Sequence, residues 1–321
     1  MDRIRPRLHL LSLAALAGAA AAATTAKLPI LAANWLTPEG RVVALTTRPR
    51  DCARPPAKAD ERALFEVGRT AFRAPLLLGG QAARAGLSCE SCHSNGRRNS
   101  AFRFPGLSGA AGTADVTSSI MSSHRGNGVF DPKPIPDLAR PVKVSRDPQS
   151  GALERFVHGL ITEEFDGPQP PALVERGLAV YIRSMDAARC PADMREPVTL
   201  ADLIDDSRRA IAAAMYALDA GDRPAARLMV SAARSRLGLI NERLDGDALA
   251  RDRQRLARAD LALLAIEQAM DARRPDVAAQ LVAWQAGVAG WSAPLVRNER
   301  RSLFNPRKLA HALGGSSVGS K

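Results

Sequence analysis

Aromatic residues are scarce in this chain: three Trp, two Tyr and eight Phe among 321 residues, with few runs of β-branched residues. Large sheets are built from such side chains packed across strands, so their scarcity argues against an extensive β architecture and for a mostly α fold. Histidine and cysteine are both missing from residues 199–310, and no acidic motif with metal-ligand spacing occurs there. That stretch carries no visible chemistry. Beyond the first 26 residues no segment is apolar enough to span a bilayer, which takes about 20 strongly apolar residues.

The four cysteines are unevenly placed. Two fall in Cys89-Glu90-Ser91-Cys92-His93, and C-x-x-C-H is the attachment signature of a c-type haem. The chemistry needs this spacing: two thiols on one turn each form a thioether with a haem vinyl group, and the adjacent imidazole of His93 becomes the proximal iron ligand. The alternatives are a zinc knuckle, a thioredoxin-like redox pair, or chance. A zinc site needs a second Cys or His pair at knuckle spacing, and none is present. A redox pair would sit in a strand-then-helix context, which the Gly- and Ser-rich flanks do not suggest.

At the amino terminus, Arg3, Arg5 and Arg7 precede a Leu- and Ala-rich run over residues 8–23, with small-residue cleavage points after Ala23 or Ala26. This is the layout of a secretory signal peptide over 1–26, the alternative being an uncleaved anchor, and it places the mature chain in the periplasm. An oxidising compartment permits a disulfide between the remaining pair, Cys52 and Cys190, which bracket the haem region; the alternative is two unpaired buried thiols. Composition divides the rest into an extended segment over 27–58, a Pro- and Gly-rich haem domain over 59–190, an Ala-, Leu- and Arg-rich helical bundle over 199–291, and a tail over 292–321 whose end is disordered.

Within the haem domain, apolar periodicity predicts helices over 60–72, 150–164 and 172–185, separated by a loop over 95–115 and a Pro-rich extended stretch over 131–148. That order is the layout of a class I cytochrome c domain. The stretch Glu66-Val67-Gly68-Arg69-Thr70-Ala71-Phe72, through Gly86-Leu87-Ser88 to the C-x-x-C-H, and the closing Gly177-Leu178-Ala179-Val180-Tyr181-Ile182-Arg183-Ser184-Met185 resemble the bacterial dihaem cytochrome c peroxidase family, which includes MauG-like proteins. The resemblance covers about 59–185 and implies a peroxide-reducing relative. Only one C-x-x-C-H is present, however, and no Trp lies in the haem region. The two-haem mechanism therefore does not carry over, and single-electron transfer through one covalent haem c becomes the leading expectation. A peroxidase-like enzyme reducing hydrogen peroxide, or a haem-bearing sensor or scaffold docking through its helical domain, are the alternatives.

The second axial ligand separates these functions, since a filled position favours electron transfer and an open one admits small molecules. The candidates, in order, are Met121, His158 and His124; Met185 is expected to pack against Val180 and Ile182. Arg97, Arg98 and Arg103 are candidate partners for the haem propionates. Glu163, Glu164 and Asp166 read as a solvated helix end or a modest docking surface.

In the C-terminal region, Ala217-Leu218-Asp219-Ala220, Arg223-Pro224 and Ala225-Ala226-Arg227-Leu228 recur as Ala269-Met270-Asp271-Ala272, Arg274-Pro275 and Ala278-Ala279-Gln280-Leu281. Each copy reads as helix, tight turn with Pro opening the next helix, then helix, and two such hairpins make an antiparallel bundle. Its expected role is partner docking or homo-oligomerisation, or simply stabilisation. The net charge of +12 is spread as arginines without interleaved aromatics, which points away from nucleic acid and toward an acidic redox partner.

Overall fold

The chain is described by a computed structural model over residues 30–140, 143–191 and 194–314; the expected signal peptide and the end of the tail lie outside these. The described residues are mostly helical, with only short strands. The segment expected to be extended over 27–58 instead forms a 3₁₀ turn (Leu31–Trp35), helix α1 (Arg41–Thr46) and strand β1 (Thr47–Pro49). Burial explains the difference: Trp35 and Leu36 are drawn into the core, and Trp35 meets Phe102 at 5.8 Å between ring centroids.

Helix α2 (Ala59–Phe72) opens with Asp60 and Glu61 in its first turn, where acidic charge complements the helix dipole. After α3 (Gly80–Arg84), α4 (Cys89–Cys92) is a single turn. Helix α5 (Ala152–Gly159) is shorter than expected, because residues 160–164 continue as a π turn; the Thr162 hydroxyl bonds the His158 carbonyl at 2.9 Å and loosens the ladder there. Helix α6 (Ala172–Arg183) crosses α2 at Gly68 and Gly177. A Cβ on Gly68 would stand 1.9 Å from the Gly177 carbonyl oxygen, so only glycine allows this approach. Phe65 and Phe72 each pack edge-on against Tyr181, both at 5.3 Å.

Strand β2 (Arg195–Pro197) pairs antiparallel with β1, Arg48 opposite Glu196, and returns the chain to its start before the bundle begins. Helix α7 (Leu200–Asp219) opens on a reciprocal cap between Thr199 and Asp202, and α8 (Arg223–Asn241) on Asp222 with Pro224 in its first turn. Helix α9 (Ala250–Asp271) and α10 (Val277–Asn298) form the second hairpin, but Pro275 lies in the turn ahead of α10 rather than opening it. The tail expected from 292 is folded through 314: α10 runs through Pro294, and α11 (Pro306–Ala312) comes after it. Leu295, Leu303, Phe304 and Leu309 are buried, so this stretch completes the core. The buried side chains of α2, α6, α7 and α8 belong to one continuous cluster, although composition changes sharply between 190 and 199.

Cys52 and Cys190 form a disulfide with Cα atoms 4.8 Å apart across 138 residues. Replacing both with alanine is expected to cost about 3 kcal/mol, since the bond closes a long loop in the unfolded chain. The midpoint of urea unfolding measures this, and an unchanged midpoint would refute it.

Candidate functional site

The Ser88 hydroxyl accepts from the Ser91 amide, and Ser91 Oγ accepts from the Ser88 amide at 3.1 Å. This cap fixes the α4 turn that carries Cys89 and Cys92, and the His93 amide closes it on the Cys89 carbonyl at 2.9 Å. Asn99 seals the far end, donating from its side chain to the Ser91 carbonyl at 2.8 Å and from its amide to the Cys92 carbonyl at 2.9 Å.

Both thiols are unpaired and half-buried, and burial pushes each up to about 12. Exchange-active and metal-binding thiols are shifted the other way, and the turn comes after a helix rather than a strand. Those two features speak against a thioredoxin-like pair. Among the described residues no group of three or more His, Cys, Asp or Glu is placed to hold a metal ion, so nothing completes a zinc knuckle. Two thiols on one turn beside an imidazole do fit a porphyrin, which brings its own four nitrogen donors to the iron.

His93 Nδ1 stands 3.0 Å from the Pro136 carbonyl. A carbonyl only accepts, so Nδ1 carries the proton and the free lone pair is on Nε2. Burial holds the imidazole down at about 4, which keeps the ring neutral near pH 7. A tethered Nδ1 and an open Nε2 are the arrangement of a metal-ligating histidine. Arg97 fixes the segment that offers the carbonyl, bonding Asp137 at 3.1 Å. With its charge taken, Arg97 is a weaker propionate partner than the sequence suggested, whereas Arg98 and Arg103 have no ion pair among the described residues.

The three distal candidates fall around one feature, the π turn after α5, in different settings. Met121 is fully buried. Its neighbours in the chain bind the turn and the loop beyond it. Ser122 Oγ donates to the Glu163 carbonyl, the Ser123 amide bonds Asp166 at 2.9 Å, and Arg125 bonds Glu163 at 2.6 Å and Glu164 at 3.1 Å. Glu163, Glu164 and Asp166 are all paired within the fold; Glu163 stays exposed as expected of a solvated helix end, whereas Glu164 is buried. His124 is exposed, with Nδ1 held 3.0 Å from Asp166. His158 is half-buried, with Nδ1 held 2.5 Å from Glu175. Met185 is buried, and its sulfur reaches the stretch just after the motif: a Cβ on Gly96 would be 3.0 Å from it.

Sequence reasoning missed Arg73, a fully buried cation at the end of α2. Its guanidinium donates to Asn95 Oδ1 at 2.6 Å and lies 3.7 Å from Glu90, 3.9 Å from Asp51 and 4.0 Å from Asp206 on α7. Burial opposes its charge but is outweighed by Tyr181, Glu90, Asp206 and Asp51, which hold its pKa well above the usual value. Glu90, inside the motif, accepts from the Asn95 amide at 2.9 Å, and Asn95 reaches the Pro49 carbonyl at 2.8 Å from a left-handed backbone conformation. Arg236 on α8 donates to the Arg73 carbonyl. The C-x-x-C-H turn is thus tied to the bundle through the Arg73 side chain. The one sequence signal was Glu90 itself, a carboxylate inside a turn whose other residues, Cys89, Ser91 and Cys92, are small and uncharged.

Compared with known proteins, the chain matches no family model, no curated protein and no solved structure.

Proposed function

We propose that this chain is an exported c-type cytochrome with one covalently attached haem, acting in single-electron transfer. The observation that carries the reading is the neutral His93 ring, tethered through Nδ1 to Pro136 with Nε2 free beside two unpaired thiols. Cys89 and Cys92 would hold the haem by thioethers and His93 would bind its iron; the group supplies a one-electron iron couple. The protein's part is orientation. The Ser88–Ser91 cap sets the thiols and Pro136 sets the ring plane, while Arg73 holds Glu90 so that the turn keeps its shape.

In this reading residues 59–190 are a class I cytochrome c-like domain, framed by the Gly68–Gly177 crossing, and residues 199–291 are a hairpin-repeat bundle beside it. Met121 is the first choice for the second axial position, because its burial suits a thioether held away from water. The location is periplasmic. No described helix is long and apolar enough to cross a membrane. The partner is a redox protein with an acidic face, drawn by the basic surface.

The test is the optical spectrum of the purified exported protein, oxidised and reduced, with and without carbon monoxide, alongside a Cys89→Ala/Cys92→Ala double variant. Haem that survives denaturation in the parent and is absent from the variant is expected, with a low-spin spectrum indifferent to carbon monoxide. No covalent haem in the parent would overturn the proposal. A high-spin component that binds carbon monoxide would replace electron transfer with a peroxide-reducing or sensing role.

A further inference from the structure

Next to the attachment turn lies a cavity of about 180 Å³ between α1 and the stretch after His93. Ala44 and Thr47 line one side, Ser94, Arg98 and Ser100 another, and Arg195 of β2 a third. No acidic side chain lines it. Arginines nearby are charge-paired: Arg97 with Asp137, Arg50 with Glu196, Arg48 with Asp202 and Arg69 with Asp51. Among the described residues, the two at the cavity are not. Arg195 bonds only the Thr47 hydroxyl at 2.8 Å and the Thr47 carbonyl at 2.9 Å, and burial pulls its pKa below the usual value. Among the described residues, Arg98 and the hydroxyls of Ser94 and Ser100 have no hydrogen-bond partner.

The geometry points to a binding site for a small dianionic oxyanion, a phosphate or a short dicarboxylate. Two uncompensated guanidiniums supply a charge of two and forked donors, which match paired oxygens. The two serine hydroxyls add donors, and the volume, about six times a water's share of the liquid, admits an anion of that size. A bound anion would join the exit of the attachment turn to the strand that leads into the bundle. If the turn carries haem, a propionate is the competing occupant of Arg98, and the experiment below separates the two.

Isothermal titration calorimetry of the full purified chain with inorganic phosphate and, separately, succinate tests it, using Arg98→Ala and Arg195→Gln variants and methyl acetate as a neutral control. Saturable binding of at least one dianion is expected, weakened about tenfold or more in each variant, lessened by salt, and absent for the neutral control. Preference between the two probes identifies the anion type. No saturable binding, or binding indifferent to both substitutions, would overturn the site. So would a parent that binds neither anion while Arg98→Ala shifts the haem potential, since a haem propionate would then hold the arginines. Circular dichroism of each variant separates lost binding from lost fold.

Discussion

Gly68→Val is expected to cost more than about 3 kcal/mol and to lower the thermal midpoint accordingly. The new side chain has no space: even its first carbon would fall 1.9 Å from the Gly177 carbonyl oxygen and 2.7 Å from the Leu178 amide nitrogen. Both neighbours are backbone, so no rotamer change relieves the overlap, and α6 would have to back away from α2. That movement would also open the edge contacts of Phe65 and Phe72 with Tyr181. Gly238→Ala on α8 is the control, because a Cβ there meets nothing within 4 Å. It should be neutral or gain up to about 1 kcal/mol from helix propensity. Equal midpoints for Gly68→Val and the parent would show that the crossing is not as tight as described.

Arg73→Met is expected to destabilise the protein by about 3–5 kcal/mol, the usual cost of removing one partner from a buried charge cluster. Methionine keeps the unbranched apolar stem of arginine, so most of the loss reports charge and hydrogen bonds. Glu90, Asp51 and Asp206 would lose their shared cation, and Asn95 a donor at 2.6 Å. Arg73→Lys should fall between the two, keeping the charge but not the fork that reaches Asn95 and Glu90 together. A double cycle with Asp206→Asn isolates the link to the bundle. Additive effects in that cycle would mean that Arg73 and Asp206 do not communicate.

Some of this was legible from residues alone. Helices α2 and α6 emerged almost at their observed ends, because each has an apolar stripe at helical spacing and a proline or a capping acid near its start. The Cys52–Cys190 pairing came from the four cysteines once the motif had claimed two. The bundle was expected to end at 291, yet α10 runs on through Pro294, and Leu295 beyond it is buried. Pro136 looked like one more proline in an extended stretch, since nothing local marks a carbonyl that serves a side chain 43 residues away. Arg73 was invisible for the same reason. Its partners come from the segment before α2, the C-x-x-C-H turn, α6 and α7, and no linear pattern joins them.

On the proposal that the chain is exported, the disulfide also sets an order of events, because the chain would enter an oxidising space amino terminus first. Cys52 arrives before Cys89 and Cys92, while its rightful partner comes last, 138 residues behind it. Closing the shorter loops to the motif cysteines is entropically easier by about 1 kcal/mol, so early oxidation favours the wrong pairs. Maturation therefore hinges on keeping Cys89 and Cys92 reduced, or already occupied, until Cys190 has emerged.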